Sequence, residues 1–177
     1  QFIQFLEKLR PHLGLSFIQL PERYGPEQVE DLRAFLDQWP EDFPLSIEFR
    51  HPDWFRPGRA SEEIWDLMQE NKISTVITDT AGRPDVRHMR LTTAEVMIRF
   101  VGNHPHKSDS TRLESWSTRI RQWKMTGLKR IYLFLHQHDN IGVDLSTRSF
   151  AEQWNAHNKE RLGFPGEQPP LGQMGLF

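Results

Sequence analysis

Apolar residues along the chain recur at two periods, and the alternation between them predicts a repeated strand–helix order. Phe2, Leu6 and Leu9 stand at helical spacing and predict a first helix over 1–10, stopped by Pro11. Leu15–Leu20 (LSFIQL) reads as a short buried strand, followed by a loop at 21–26. Pro26 suits a first helical turn, and Val29, Leu32, Leu36 and Trp39 form one apolar stripe behind it. Leu45–Arg50 (LSIEFR) is the next strand and leads into an aromatic, proline-bounded loop over 50–57. Ser61 is the predicted N-cap of a helix with Glu62 and Glu63 in its first turn and Ile64, Leu67 and Met68 turned inward. Ile73–Thr78 (ISTVIT) is β-branched and predicts a strand, as does Val96–Val101 (VMIRFV). Past a polar loop at 102–110, Leu113, Trp116, Ile120 and Trp123 make a helical stripe that Gly127 ends. Arg130–Leu135 (RIYLFL) is the last predicted strand and Thr147–Leu162 the last helix. From Phe164 onward Pro, Gly and Gln dominate, which divides the chain into a folded part over 1–163 and a tail over 164–177.

The predicted order, α-β-α-β-α-β-β-α-β-α, starts a strand every 25 to 35 residues or so, roughly the length of a strand with its crossover helix. Strands separated by helices pair in parallel with right-handed crossovers. An α/β barrel of (β/α) units and an open doubly wound sheet both fit. No glycine-rich phosphate fingerprint follows a strand, which disfavours a dinucleotide-binding sheet.

Parity within the strands narrows the choice. Leu45, Ile47 and Phe49 share one face of their strand, and Ser46, Glu48 and Arg50 share the other. Phe17 pairs with Gln19 in the same way, and Tyr132 and Phe134 with His136, while Arg99 sits among apolar neighbours. Apolar faces under helices and charged faces opposite suit a barrel interior, with Gln19, Glu48, Arg50, Arg99 and His136 converging at the strands' C-terminal ends, where barrels of this type place their chemistry. A bland reading stands beside it: Glu48 and Arg99 pair and satisfy one another inside the protein.

The 177-residue chain contains no cysteine, which excludes disulfides, zinc–thiolate sites and cysteine nucleophiles and points to a reducing compartment, the cytoplasm. Lys plus Arg is 22 and Asp plus Glu 24, so the net charge of −2 exerts no global pull toward nucleic acid or an anionic membrane. No apolar run is long enough to cross a bilayer, and no signal-peptide pattern is visible.

Four blocks carry a resemblance: Ile47–Phe55 (IEFRHPDWF), Thr78–Asp85 (TDTAGRPD), Ile98–Asn103 (IRFVGN) and Phe134–His136. In order and spacing they resemble the YecE-like family, domain of unknown function 72, over nearly the whole chain. The resemblance implies a (β/α) barrel of the triosephosphate-isomerase type. It also implies an incomplete one, because the family's opening strands, with a Gly-Trp-Ser-like turn and a Glu-Ile-Asn-Ser-Thr-Phe-Tyr-like segment, have no counterpart here. The chain opens on Gln1 and resembles roughly the fourth to eighth strands. A complete barrel takes about 200 residues or more, so about five strands are expected to stay open, with 15–20 and 130–135 as unpaired edges.

Several chemistries compete for these residues. Glu48, His51, Asp79 and His136 are oxygen and imidazole ligands near strand ends, but no fixed spacing sets two of them on one element, so neither a metal nor a cofactor is expected. The pairs His104/His106 and His136/His138 read as ordinary loop histidines. Arg50, Arg99 and His136, below a loop carrying His104, His106, Lys107 and Ser108, suit a phosphate or carboxylate better. No G-x-S-x-G elbow supports a serine nucleophile. The expected substrate- and anion-binding set is therefore Gln19, Arg50, His51, Trp54, Asp79 and Arg99, with Glu48 as acid/base and His136 assisting proton transfer.

The last five residues, Gln173-Met174-Gly175-Leu176-Phe177, resemble the bacterial sliding-clamp-binding pentapeptide. A tether rich in Pro and Gly would present Leu176 and Phe177 as anchors, with the Gln173 amide supplying directional bonds. The sequence thus predicts an anion-recognising barrel mouth, acting as a hydrolase or lyase on an anionic small molecule or nucleic acid and recruited to the clamp by its tail. The alternative is a non-catalytic interaction module that uses the Trp54–Phe55 loop and the tail.

Overall fold

The computed structural model describes residues 2–103, 106–137 and 142–164. The elements are α1 (Phe2–Leu9), β1 (Ser16–Gln19), α2 (Val29–Leu36), β2 (Leu45–Glu48), α3 (Arg59–Glu70), β3 (Ser74–Thr80), β4 (Glu95–Val101), α4 (Lys107–Met125), β5 (Arg130–His136) and α5 (Val143–His157). This is the predicted order, including the β3–β4 succession without an intervening α-helix. The strands form one open, parallel α/β sheet in sequential order, with β1 and β5 at its edges. Among the described residues no helix is long and apolar enough to cross a membrane.

Two compact units divide the chain. The first, Gln1–Phe100 with Gly127–Phe134, contains β1 to β3 and most of β4 and β5. Its register sets Phe17 beside Ser46, Ile18 beside Ile47 and Gln19 beside Glu48. The same count sets Ser46 beside Ser74 and Ile47 beside Thr75. Period-two alternation then turns Leu45, Ile47 and Phe49 to the helix side, where they pack with Leu32 and Leu36 of α2 and Ile64, Leu67 and Met68 of α3 in one core cluster.

On the β3 side, residues 81–94 replace a covering helix. The Thr75 hydroxyl donates to the Arg90 carbonyl (2.9 Å) and the Thr92 hydroxyl to the Ile73 carbonyl (2.5 Å). His88 reaches the Val76 carbonyl through Nε2 (3.2 Å). Its ring stacks on Phe55 at 5.3 Å and 16°, and meets Trp65 of α3 at 5.1 Å and a tilt of 42°.

The helix predicted to begin at Ser61 begins one turn earlier. Gly58, at φ 156°, is the N-cap of α3. Ser61 lies inside the first turn, where its hydroxyl donates back to the Gly58 carbonyl (3.1 Å). A glycine tolerates that backbone without strain, so the chain turns there and not at the serine.

The second unit, Val101–Thr126 with Leu135–Phe177, contains α4 and α5. The loop expected over 102–110 is shorter, because His106 caps α4: its Nδ1 accepts from the Ser108 amide (3.2 Å), which draws Lys107 and Ser108 into the helix. Likewise α5 lies at 143–157 and not 147–162. Beyond it the Asn155 side chain donates to the Leu162 carbonyl (2.8 Å) and accepts from its amide (2.7 Å), closing a turn. Trp116 and Trp123 of α4 pack at 6.1 Å and Phe150 and Trp154 of α5 at 6.3 Å.

Candidate functional site

Glu48 ends β2 on the face opposite the helices, and its side chain is 0% exposed. A buried carboxylate is stable only where positive charge and donors meet it. Two arginines do so. Arg50, two residues on and on the same face, donates Nε to Oε1 at 2.8 Å. Arg99, from β4, donates Nη1 to Oε2 and also bonds the Gln19 Oε1 at 3.2 Å. Because β3 lies between β2 and β4, the Arg99 side chain crosses a whole strand to reach its partner. Its guanidinium also stands 5.6 Å over the Phe17 ring. Arg50 and Arg99 therefore point to one side of the sheet and share one anion, as strand parity predicted. They keep 32% and 20% of their side chains exposed.

Other expected members are placed elsewhere. By the β2–β3 register Ser74, Val76 and Thr78 share the Glu48 face, whereas Thr75, Ile77 and Asp79 face the helix side. Asp79 thus turns away from the Glu48 cluster and meets Arg87 Nη1 of the 81–94 segment at 3.4 Å. Trp54 is 0% exposed. Its indole N–H donates to the Tyr24 carbonyl (2.8 Å) and its ring packs on Phe49 at 5.1 Å. It is a prop beneath the 50–57 loop, not a wall of a mouth, because the 3-10 turn at Pro52–Phe55 points it into the core. His51 caps that turn by accepting the Asp53 amide on Nδ1 (3.2 Å), which leaves its hydrogen on Nε2. His136 closes β5 in the second unit, where its carbonyl accepts from the Gly102 amide (2.8 Å). Gln173, Leu176 and Phe177, and the histidines at 104 and 138, lie outside the described residues.

Two neighbours went unrecognised in the sequence. Arg83 donates to the Arg50 carbonyl (3.4 Å) and to Glu22 (2.6 Å), and through its bonds to Asp85 it holds that carboxyl below the usual range. It ties the β3–β4 segment to the loop that carries Arg50. Thr78 is 7% exposed, and its Oγ has no hydrogen-bond partner among the described residues. Its place on the Glu48 face follows from counting in twos along ISTVIT; its lack of a partner does not.

Farther along the same segment, burial pushes the His88 ring down to about 4, against the pull of the Val76 carbonyl and with help from Arg90.

The family model described as "Protein of unknown function DUF72" matches residues 1–171. The chain belongs to the DUF72 family. YecE of Escherichia coli K12, a UPF0759 protein, is 28% identical to it, with 78% of this chain and 57% of YecE covered. The YecE protein of Escherichia coli O157:H7 matches equally. This DUF72 chain therefore spans 57% of the length of those curated relatives. Its fold is that of solved DUF72 proteins. One from Enterococcus faecalis V583 superposes with a TM-score of 0.69 at 20% identity, over 85% of this chain and 66% of that one. Another, from Thermotoga maritima MSB8, gives 0.60 at 19%, over 87% and 63%.

Proposed function

We propose that this DUF72 chain binds a phosphate-bearing ligand, a small molecule or a nucleic-acid segment, through Arg50 and Arg99. One observation carries the reading: a single buried carboxylate holds two guanidiniums from different strands, and both guanidiniums keep exposed surface. Two positive groups on one negative group leave a net positive charge, carried by side chains from two strands of one sheet. Such an arrangement suits an oxyanion, which guanidiniums meet with directional, charge-assisted hydrogen bonds.

In this reading Glu48 is a positioning residue. Both of its oxygens already accept from arginines, so it orients them. Hydrolysis or lyase chemistry on the ligand is the enzymatic form of the proposal. The burial of Trp54 speaks against the alternative of an aromatic loop used as an interaction surface.

Calorimetric titration of the full chain with inorganic phosphate at low salt is the test. Saturable binding is expected, weakened at least about tenfold in Arg50→Met and in Arg99→Met, the loss of one charge-assisted bond. No binding by the wild-type chain would refute the reading.

We further read the open sheet as the later strands of a (β/α) barrel, which the likeness in fold to solved DUF72 proteins supports. The tail reading is separate. A peptide over 168–177 is expected to bind a bacterial sliding clamp through Gln173, Leu176 and Phe177, and equal binding after Leu176→Ala/Phe177→Ala would end that idea. The absence of cysteine fits a cytoplasmic setting.

A further inference from the structure

We infer that Thr78 is a third donor to the ligand held by Arg50 and Arg99, and that it commits the site to a tetrahedral phosphoryl group over a planar carboxylate. The inference rests on the anion reading above.

A buried hydroxyl without a partner destabilises the protein that carries it, so each instance calls for an explanation. Thr78 Oγ is such a group. Its neighbours on the same face are not: the Ser46 hydroxyl donates to the Ser16 carbonyl (2.9 Å) and the Ser74 hydroxyl pairs with Thr93 (2.6 Å). On the other face Thr75 is bonded as well. Hydroxyls earlier in β2 and β3 are bonded to a neighbouring strand or to the 81–94 segment, and that of Thr78, near the end of β3, has no partner among the described residues.

Its position suggests what it serves. The register sets Ser46 beside Ser74. Counted onward in twos, it brings Val76 level with Glu48 and Thr78 level with Arg50. Arg99 comes from the far side of β3. Thr78 therefore rises from the strand that the Arg99 side chain crosses on its way to Glu48, beside the place where the chain leaves β2 toward Arg50. A carboxylate presents its lone pairs in one plane, where the two arginines can meet them. A third donor that rises from the sheet beneath the arginines is better met by an oxygen outside that plane, which a tetrahedral phosphoryl group has. Arg99 crosses β3 to reach Glu48, so its arm is the part of this face that must shift to admit the anion.

The test compares inorganic phosphate with acetate on the full chain by calorimetry, in wild type, Thr78→Val and Thr78→Ser, alongside the ligand-free melting temperature. Wild type is expected to bind phosphate about tenfold or more tightly than acetate, the worth of one added hydrogen bond to a charged group. Thr78→Val should lose most of that preference, keep its acetate affinity and melt no lower than wild type; Thr78→Ser should keep the preference. Equal affinity of wild type for the two anions overturns the inference and leaves the anion reading standing. So does a Thr78→Val chain that binds phosphate as wild type does. A wild-type chain that binds neither anion defeats both readings.

Discussion

Arg99 on β4 and Glu48 on β2 form an ion pair that bridges the intervening strand β3. The carboxylate is wholly buried, so its environment is arranged around its charge. Glu48→Gln removes that charge, keeps the shape, and leaves Arg50 and Arg99 facing an amide. Loss of one partner from a buried pair costs about 3–5 kcal/mol, discounted here toward about 3 because both arginines are partly exposed. Urea denaturation at neutral pH should show that loss, and a change below about 1 kcal/mol would mean that the pair contributes nothing net.

Trp54 joins the 50–57 loop to the core through Phe49 and to the preceding loop through the Tyr24 carbonyl. Trp54→Ala empties a fully buried site and should cost about 3–5 kcal/mol. Trp54→Phe keeps most of the ring but drops the indole donor, and should cost about 1–3 kcal/mol for the orphaned carbonyl and the lost volume. The two variants, ranked by chemical denaturation, separate packing from hydrogen bonding.

His88 should make stability depend on acid. Its folded value of about 4 lies below its ordinary value of 6.5, so between those values the unfolded chain binds the extra proton. Stability is therefore full above about pH 6.5, falls as pH drops toward about 4, and levels off below that, for a total of about 2–3 kcal/mol. The geometry agrees: Nε2 faces the Val76 carbonyl and Nδ1 accepts the Arg90 amide (3.3 Å), so a proton on Nδ1 would set two N–H groups against each other. His88→Phe should flatten the dependence over that window, read from denaturation midpoints at successive pH values.

Gly58 and Ser61 test where α3 begins. Gly58→Ala forces a side chain into backbone at φ 156°, with open space around the new carbon, so the cost is purely conformational and about 1 kcal/mol or more. Ser61→Ala loses only a local hydroxyl bond and should cost less than Gly58→Ala. The reverse ranking by thermal melting would return the cap to the serine.

Much of the architecture was legible from residue periodicity. The strand–helix order, the direct β3–β4 succession and the common side of Glu48 and Arg50 follow from counting in twos and in threes and fours along the chain, and the family from the blocks at 47–55, 78–85, 98–103 and 134–136. Element ends were less legible. His106 and Gly58 start helices where polar residues and a proline-bounded loop read as irregular, because a cap is a matter of backbone angle and one hydrogen bond, not of composition.

The sequence by itself determined which residues alternate on which side of each strand, and so which charges travel together. Only the tertiary structure decided which strands stand beside one another and in what register. That register turned Asp79 away from Glu48, dropped Trp54 beneath its loop and left the Thr78 hydroxyl without a partner. The physical reason is that parity is a local property of extended backbone, set by each strand alone. Burial and hydrogen-bond satisfaction depend on residues far apart in the chain that become neighbours only when it folds.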